Sequence, residues 1–329
     1  MSAENAATSE QTAIGVAHSK LILIGEHAVV HGQPAIAIPF PLVGVEAAIE
    51  HRPGEVRLES KLFEGTMDEA PEPLLGIRNC VRATLQYLEI PYQDLLIRIK
   101  SSIPPGKGLG SSASVAIAVV RSLFAYAGRM YKKDELLELA NISETYAHGA
   151  PSGIDTLTIT SKCPVWFEKS GHVDYIRPSE DFYFVVADTG RVGDTRTAVE
   201  SVANLLKVAP KKIQAKINRL GEITHQARHA LERASKHLLG QILDEAQKEL
   251  EALGVSDAGL NKLIHFARQE GALGAKLTGG GNGGCIIALA RNELHSRQLS
   301  EKLKRFGAHK VWPFVLKSQD TLEDQENRI

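Results

Sequence analysis

The chain is poor in cysteine, carries no surplus of either charge and lacks any long apolar run. Its three cysteines, Cys80, Cys163 and Cys285, stand far apart without paired spacing. That pattern excludes a disulfide-stapled secreted scaffold and makes a reducing, cytoplasmic compartment the expectation. Lys plus Arg number 38 against 39 for Asp plus Glu, a formal net charge of -1; nothing pulls the chain towards a polyanion, and no nucleic-acid partner is expected. No segment is long and apolar enough to span a bilayer, so no membrane partner is expected either. The opening "MSAENAATSEQT" has neither the basic flank nor the apolar stretch of a signal peptide and reads as a loose tail.

What is present is enough apolar material for a sizeable core: 43% hydrophobic residues in a chain of 329, a length that favours two domains. "AIGVAHSKLILIGEH" and "QPAIAIPFPLVGVEAAIEH" read as strands, as does "DLLIRIKSSIPP", which Pro104 and Pro105 stop. "SSASVAIAVVRSLFAYAG" predicts a helix buried on most faces and ended by Gly128, and "KDELLELANISETYAH" predicts a second, ended by Gly149. Near residue 180 the character changes. "DFYFVVADTG" is a strand, residues 194–270 are mostly helical, "GGCIIALA" and "HKVWPFVLK" close as strands, and the acidic "SQDTLEDQENRI" reads as a solvated end. The expected division is 12–180 and 181–318, with 1–11 and 319–329 as flexible tails.

Four stretches carry chemistry. In "PPGKGLGSSAS" a strand leads through Gly106, Gly108 and Gly110 into hydroxyl residues at a helix start, which gathers backbone N–H groups and a helix dipole at one point and suits an anion such as phosphate. A tight turn with serine caps fits the same residues. The spacing excludes three familiar loops: Lys107 falls inside the loop and not at the end as in a P-loop, the third glycine of a dinucleotide loop is replaced by Ser111, and G-x-S-x-G fails at Ser114.

In "NISETYAHGAPSGIDT", Leu137, Ala140, Glu144 and Ala147 follow helical steps, which puts Glu144 on a core-facing stripe where a carboxylate needs a partner; magnesium is one, water or an arginine at the rim another. Asp155 follows a compact turn and can either accept a proton from a substrate hydroxyl or cap the backbone. In "SKLILIGEHAVVHG", Lys20 begins an apolar strand, and Glu26 and His27 sit at its end beside Gly25, as site residues or as plain turn residues. "GAKLTGGGNGGCIIAL" holds a glycine loop tied to a strand, close either to a ligand or to another backbone. His225 and His229 have metal-ligand spacing but no third ligand and no H-E-x-x-H glutamate, and read as solvated helix residues.

Taken in chain order, "SKLILIGEHAVVHG", "PPGKGLGSSAS", "PSGIDT" and "GAKLTGGGNGGC" resemble the signature regions of the GHMP kinases, over roughly residues 14 to 316. "GEHAVVHG", "ETYAHGAPSGID" and "DTGRVGDTRTAV" are similar to the mevalonate kinase branch more than to galactokinase. The resemblance implies a two-domain α+β GHMP kinase fold, with an N-terminal domain like ribosomal protein S5 domain 2 that binds ATP and a ferredoxin-like C-terminal domain. It implies transfer of the γ-phosphoryl of ATP to the C5 hydroxyl of (R)-mevalonate, with phosphomevalonate kinase or a non-catalytic GHMP sensor as alternatives.

Carried over residue by residue, Gly106, Lys107, Gly108, Leu109, Gly110, Ser111 and Ser112 would cradle the ATP phosphates, and Ser112 with Glu144 would hold Mg2+. Asp155 would be the catalytic base with Lys20 beside it, and Glu26, His27 and Thr195 would contact mevalonate. Two departures stand out: Gly280 and Asn282 break the family's GAGGGGC, and Ser19 replaces the usual glycine before the lysine. The resemblance leaves a homodimer open beside a monomer.

Overall fold

The computed structural model describes residues 12–148, 152–193 and 195–318. They form two compact units that share the chain in alternation. One takes residues up to Ser19, Val43–Ile103 and Ser111–Thr160; the other takes Lys20–Leu42, Pro104–Gly110 and everything from Ser161 on. Strands β1 (Ala13–Ile24) and β2 (Ala35–His51) run through both, as their long Val, Ile and Ala content anticipates.

In the first unit the second half of β2 pairs antiparallel with β5 (Leu95–Ser101), and β5 pairs parallel with β3 (Arg57–Ser60), which carries β4 (Glu64–Thr66) at its edge. Three helices complete its core: α1 (Leu75–Tyr87), α2 (Ser111–Tyr126) and α3 (Lys133–His148), with the short α4 (Ile154–Ile159) beyond. Helix α2 is buried on most faces, from Ala113 to Phe124, as its alanine-rich text predicts. Chain turning follows at Gly128, which takes a left-handed φ of 62°. On α3 the buried stripe is Leu136, Leu139, Ala140, Ser143 and Glu144; Leu137, assigned to it from the spacing, lies one step off and is half-exposed. Gly149, expected to end α3, lies outside the described residues.

In the second unit the first half of β2 pairs with β6 (Val165–Phe167), and β6 with β7 (Val173–Tyr175). After β8 (Phe182–Asp188) the chain becomes helical through α5 (Thr195–Val208), α6 (Pro210–Glu232), α7 (Lys236–Ala252) and α8 (Ala258–Gln269). β9 (Gly274–Thr278), β10 (Cys285–Leu289), α9 (Glu293–Phe306) and β11 (Lys310–Leu316) follow, and the four strands form an antiparallel sheet in the order β11-β8-β10-β9. Local chemistry sets several ends: Pro210 at the start of α6, the Asp257 carboxylate accepting from Leu260 N at 2.9 Å before α8, and Asn292 and Gly307 bracketing α9.

Strand β9 is the element the text hides inside a glycine loop. It lies at the sheet edge, where its outward N–H groups need acceptors. Helix α7 supplies them from two side chains one turn apart: Asp244 Oδ1 accepts from Ala275 N and Gln247 Oε1 from Leu277 N, both at 2.9 Å. The helix approaches closely because two glycines face each other; a methyl group on Gly274 would lie 2.0 Å from Gly240 O.

Candidate active site

The second unit gathers the chemistry. Strand β1 delivers Lys20, which is buried, and its N–H bonds Leu109 O in the glycine loop at 3.3 Å. The other end of that loop is held by Gly193 N donating to Gly106 O at 2.9 Å. A third glycine segment packs against both: a methyl group on Gly108 would lie 2.9 Å from the Cα of Gly279, and one on Gly193 2.7 Å from Gly281 O. At Gly108–Gly279 and Gly193–Gly281 backbones approach with no side chain between them, so the loop 279–284 lies close to other backbones, whereas Gly106 faces the Val192 side chain. Asn282 takes φ 50°, a left-handed conformation that asparagine tolerates.

Lys107 points inward. Its ammonium contacts Asp188 Oδ1 at 2.8 Å and donates to Arg191 O at 2.7 Å, with both side chains of the ion pair buried. Asp188 Oδ1 also accepts from Gly190 N at 2.8 Å. A lysine and an aspartate at the end of β8 therefore fix the glycine loop to the turn 189–193.

Past the end of β1, Gly25 (φ 99°) and His27 (φ 60°) bend the chain and bury Glu26 and His27, which are 4% and 5% exposed. His27 Nε2 donates to Gly280 O at 2.9 Å, so Nδ1 is the acceptor of a neutral ring; it is buried and has no partner among the described residues. Glu26 Oε1 is ion-paired with Lys276 from β9, while Oε2 is buried and has no partner among the described residues. Burial pushes the Glu26 carboxyl up and the Lys276 ammonium down, and the pairing between them opposes both shifts. Burial likewise pulls His27 down to about 4. Thr195 opens α5 at the same place: a methyl group on Gly280 would lie 2.4 Å from its Oγ1. An alanine at position 280 would crowd Thr195.

The first unit holds the remaining candidates. Ser111 and Ser112 are half-buried at the start of α2; Ser114 donates to His18 O at 3.0 Å. Glu144 is buried on α3, which packs on α2, and Asp155 is half-buried in the first turn of α4. Helix α4 is tied to α3 by Thr156 Oγ1 donating to Asn141 Oδ1 at 3.0 Å.

The descriptions "GHMP kinases N terminal domain" and "GHMP kinases C terminal" match residues 77–162 and 227–309. A mevalonate kinase of Pyrococcus furiosus is 32% identical over 301 residues, 85% of this chain and 90% of its own length. The chain belongs to the GHMP kinases. Its solved relatives include the L. major mevalonate kinase in complex with R-mevalonate, with a TM-score of 0.80, 26% identity and coverage of 97% and 99%. The mevalonate kinase from methicillin-resistant Staphylococcus aureus MRSA252 has a TM-score of 0.71, 32% identity and coverage of 94% and 99%. The α+β GHMP fold and the mevalonate kinase likeness expected from the motifs are both found.

Among the described residues of this GHMP kinase, no helix is long and apolar enough to cross a membrane. His225 and His229 are exposed on α6, with the His225 ring 4.8 Å from that of Trp166. Three features received no role from the motifs that contain them: Lys276, Asp188 and the turn around Arg191. Lys276 has one signal in the text, a single charge inside the apolar "LGAKLT".

The depressed His27 pKa gives a stability prediction. Unfolded His27 takes up a proton near pH 6.5 whereas the folded ring resists until about pH 4, so its contribution to stability is lost as pH falls through that window, by roughly 1.4 kcal/mol per pH unit. Glu26, whose folded pKa is raised, works in the opposite direction. Urea unfolding of wild type and His27→Gln between pH 7 and 4 isolates the histidine: the stability difference between them should shrink with acid, and a constant difference would count against a buried neutral ring.

Proposed function

We propose that this GHMP kinase transfers the γ-phosphoryl group of ATP to the C5 hydroxyl of (R)-mevalonate, giving 5-phosphomevalonate and ADP. The observation that carries the reading is the pair of buried acceptors, Glu26 Oε2 and His27 Nδ1, in a chain whose relatives at 32% identity are mevalonate kinases. Two acceptors without donors suit a ligand that brings hydroxyl groups. The glycine loop Gly106–Ser112 takes the phosphates on its backbone and on the start of α2. Thr195 borders the alcohol, Lys20 steadies charge on the transferring group, and Asp155 accepts the hydroxyl proton or orients the hydroxyl for attack. We assign residues 12–180 to the ATP-binding N-terminal domain and 181–318 to the C-terminal one; the two matched family spans fall on either side of that division.

Magnesium fits the donors present. The Ser112 hydroxyl at the start of α2 and the buried Glu144 carboxylate on the neighbouring α3 are hard oxygen ligands. When bound, the ion neutralises charge on the phosphate oxygens. Glu144→Gln should raise the magnesium concentration needed for half-maximal rate by about tenfold or more; an unchanged titration would remove Glu144 from the metal site.

A coupled ADP-release assay over mevalonate, phosphomevalonate, homoserine and galactose tests the function. Turnover on mevalonate, with the new phosphate at C5 by NMR, is expected. Turnover confined to another alcohol would replace this reading, and tight binding without turnover would make the chain a sensor.

A further inference from the structure

Lys276 has no outlet to solvent. Its side chain is 0% exposed, a rare setting for a lysine unless it is paired. Its ammonium meets Glu26 Oε1 and donates to Leu277 O at 2.6 Å. The strand that carries it is held in turn: Gln247, fully buried on α7, accepts from Leu277 N and donates from its Nε2 to Ser256 Oγ at 2.9 Å and Glu251 Oε1 at 3.0 Å. On the other side Thr278 Oγ1 donates to Ile22 O in β1 at 2.8 Å. Strand β9 is thus bonded to helix α7 and to strand β1, which ends two residues before Glu26.

A carboxylate with one oxygen held by a fixed cation has one orientation and one oxygen left to offer. We propose that Lys276 is a positioning residue of the substrate site: by occupying Glu26 Oε1 it presents Oε2 as a fixed acceptor for a hydroxyl group of the alcohol. The proposal rests on the mevalonate reading above. Lys276 acts on substrate only through Glu26, so its effect should fall on alcohol binding, should leave nucleotide binding alone and should vanish when Glu26 is already neutral.

The test is a double-mutant cycle on the full chain with Lys276→Met, Glu26→Gln and the pair together, plus Lys276→Arg, reading KM for mevalonate and for ATP separately and the fold by circular dichroism. Lys276→Met should raise KM for mevalonate about 30-fold or more, as when one member of a buried charge pair is removed, with KM for ATP within about twofold. Lys276→Arg, which keeps the cation, should recover part of the loss. In the Glu26→Gln background the second change should add less than about threefold.

An unchanged KM for mevalonate in Lys276→Met, or effects that multiply in the double variant, would overturn the proposal. If Lys276→Met alone fails to fold, the double variant, which leaves no lone buried charge, still decides. Failure of both to fold would mark the lysine as purely structural and end the proposal. Wild type without mevalonate turnover would instead sink the functional reading itself, and is seen before any variant is made.

Discussion

Asp155→Asn should lower kcat by about 10²–10⁴-fold, the range attributed to a positioned general base, while the affinity for ATP is kept. Asparagine keeps the shape of the side chain and cannot take up a proton. The helix it sits on has other anchors: Ile154 and Thr156 are buried, Thr156 bonds Asn141, and Thr158 Oγ1 donates to Ile154 O at 2.6 Å. A loss of rate with an unchanged melting temperature would therefore report on chemistry. Single-turnover measurement separates the roles: a base-free enzyme is slow in the chemical step, whereas near-normal turnover would leave Asp155 an orienting group at most.

The second large effect is expected at Gly108. Alanine there meets two obstacles: a left-handed φ of 71° and a methyl group 2.9 Å from the Cα of Gly279. The conformational cost is roughly 1–2 kcal/mol, and the backbone contact has no flexible side chain to yield, so the loop must move off Gly279. Displacing catalytic groups by about 1 Å can cost about 10²-fold in rate, and kcat/KM for ATP in Gly108→Ala should fall by about that factor. Gly128→Ala supplies the control, since it shares the positive φ of 62° and has open space around its Cβ. It should lose stability by about the same conformational cost and keep its kinetics. Equal kinetic losses in both variants would show that strain elsewhere, and not the packing of the loop on Gly279, sets the effect.

Much of the architecture can be read along the chain because it depends on local pattern. The alternation and β-branching of β1 and β2, the alanine-rich α2 and the strand texts of β8, β10 and β11 all correspond to elements within a few residues of their expected ends. The elements that escaped have weak local signals. Helix α1 begins within a run of proline and acidic residues, and β9 is five residues whose edge is satisfied by a helix distant in the text. Ion pairs are harder still. A lysine is ordinarily exposed, and nothing in the sequence near Lys107 or Lys276 names Asp188 or Glu26 as its partner.

The short-range chemistry is written along the chain: glycines where backbone must come close, hydroxyls at a helix start, and a glutamate and a histidine just past the end of an apolar strand. Which charge answers which depends on long-range packing. Glu26 and Lys276 lie 250 positions apart, and no periodicity links residues at that distance; their pairing follows from β9 lying beside β1, where burial makes each charge unsustainable without the other.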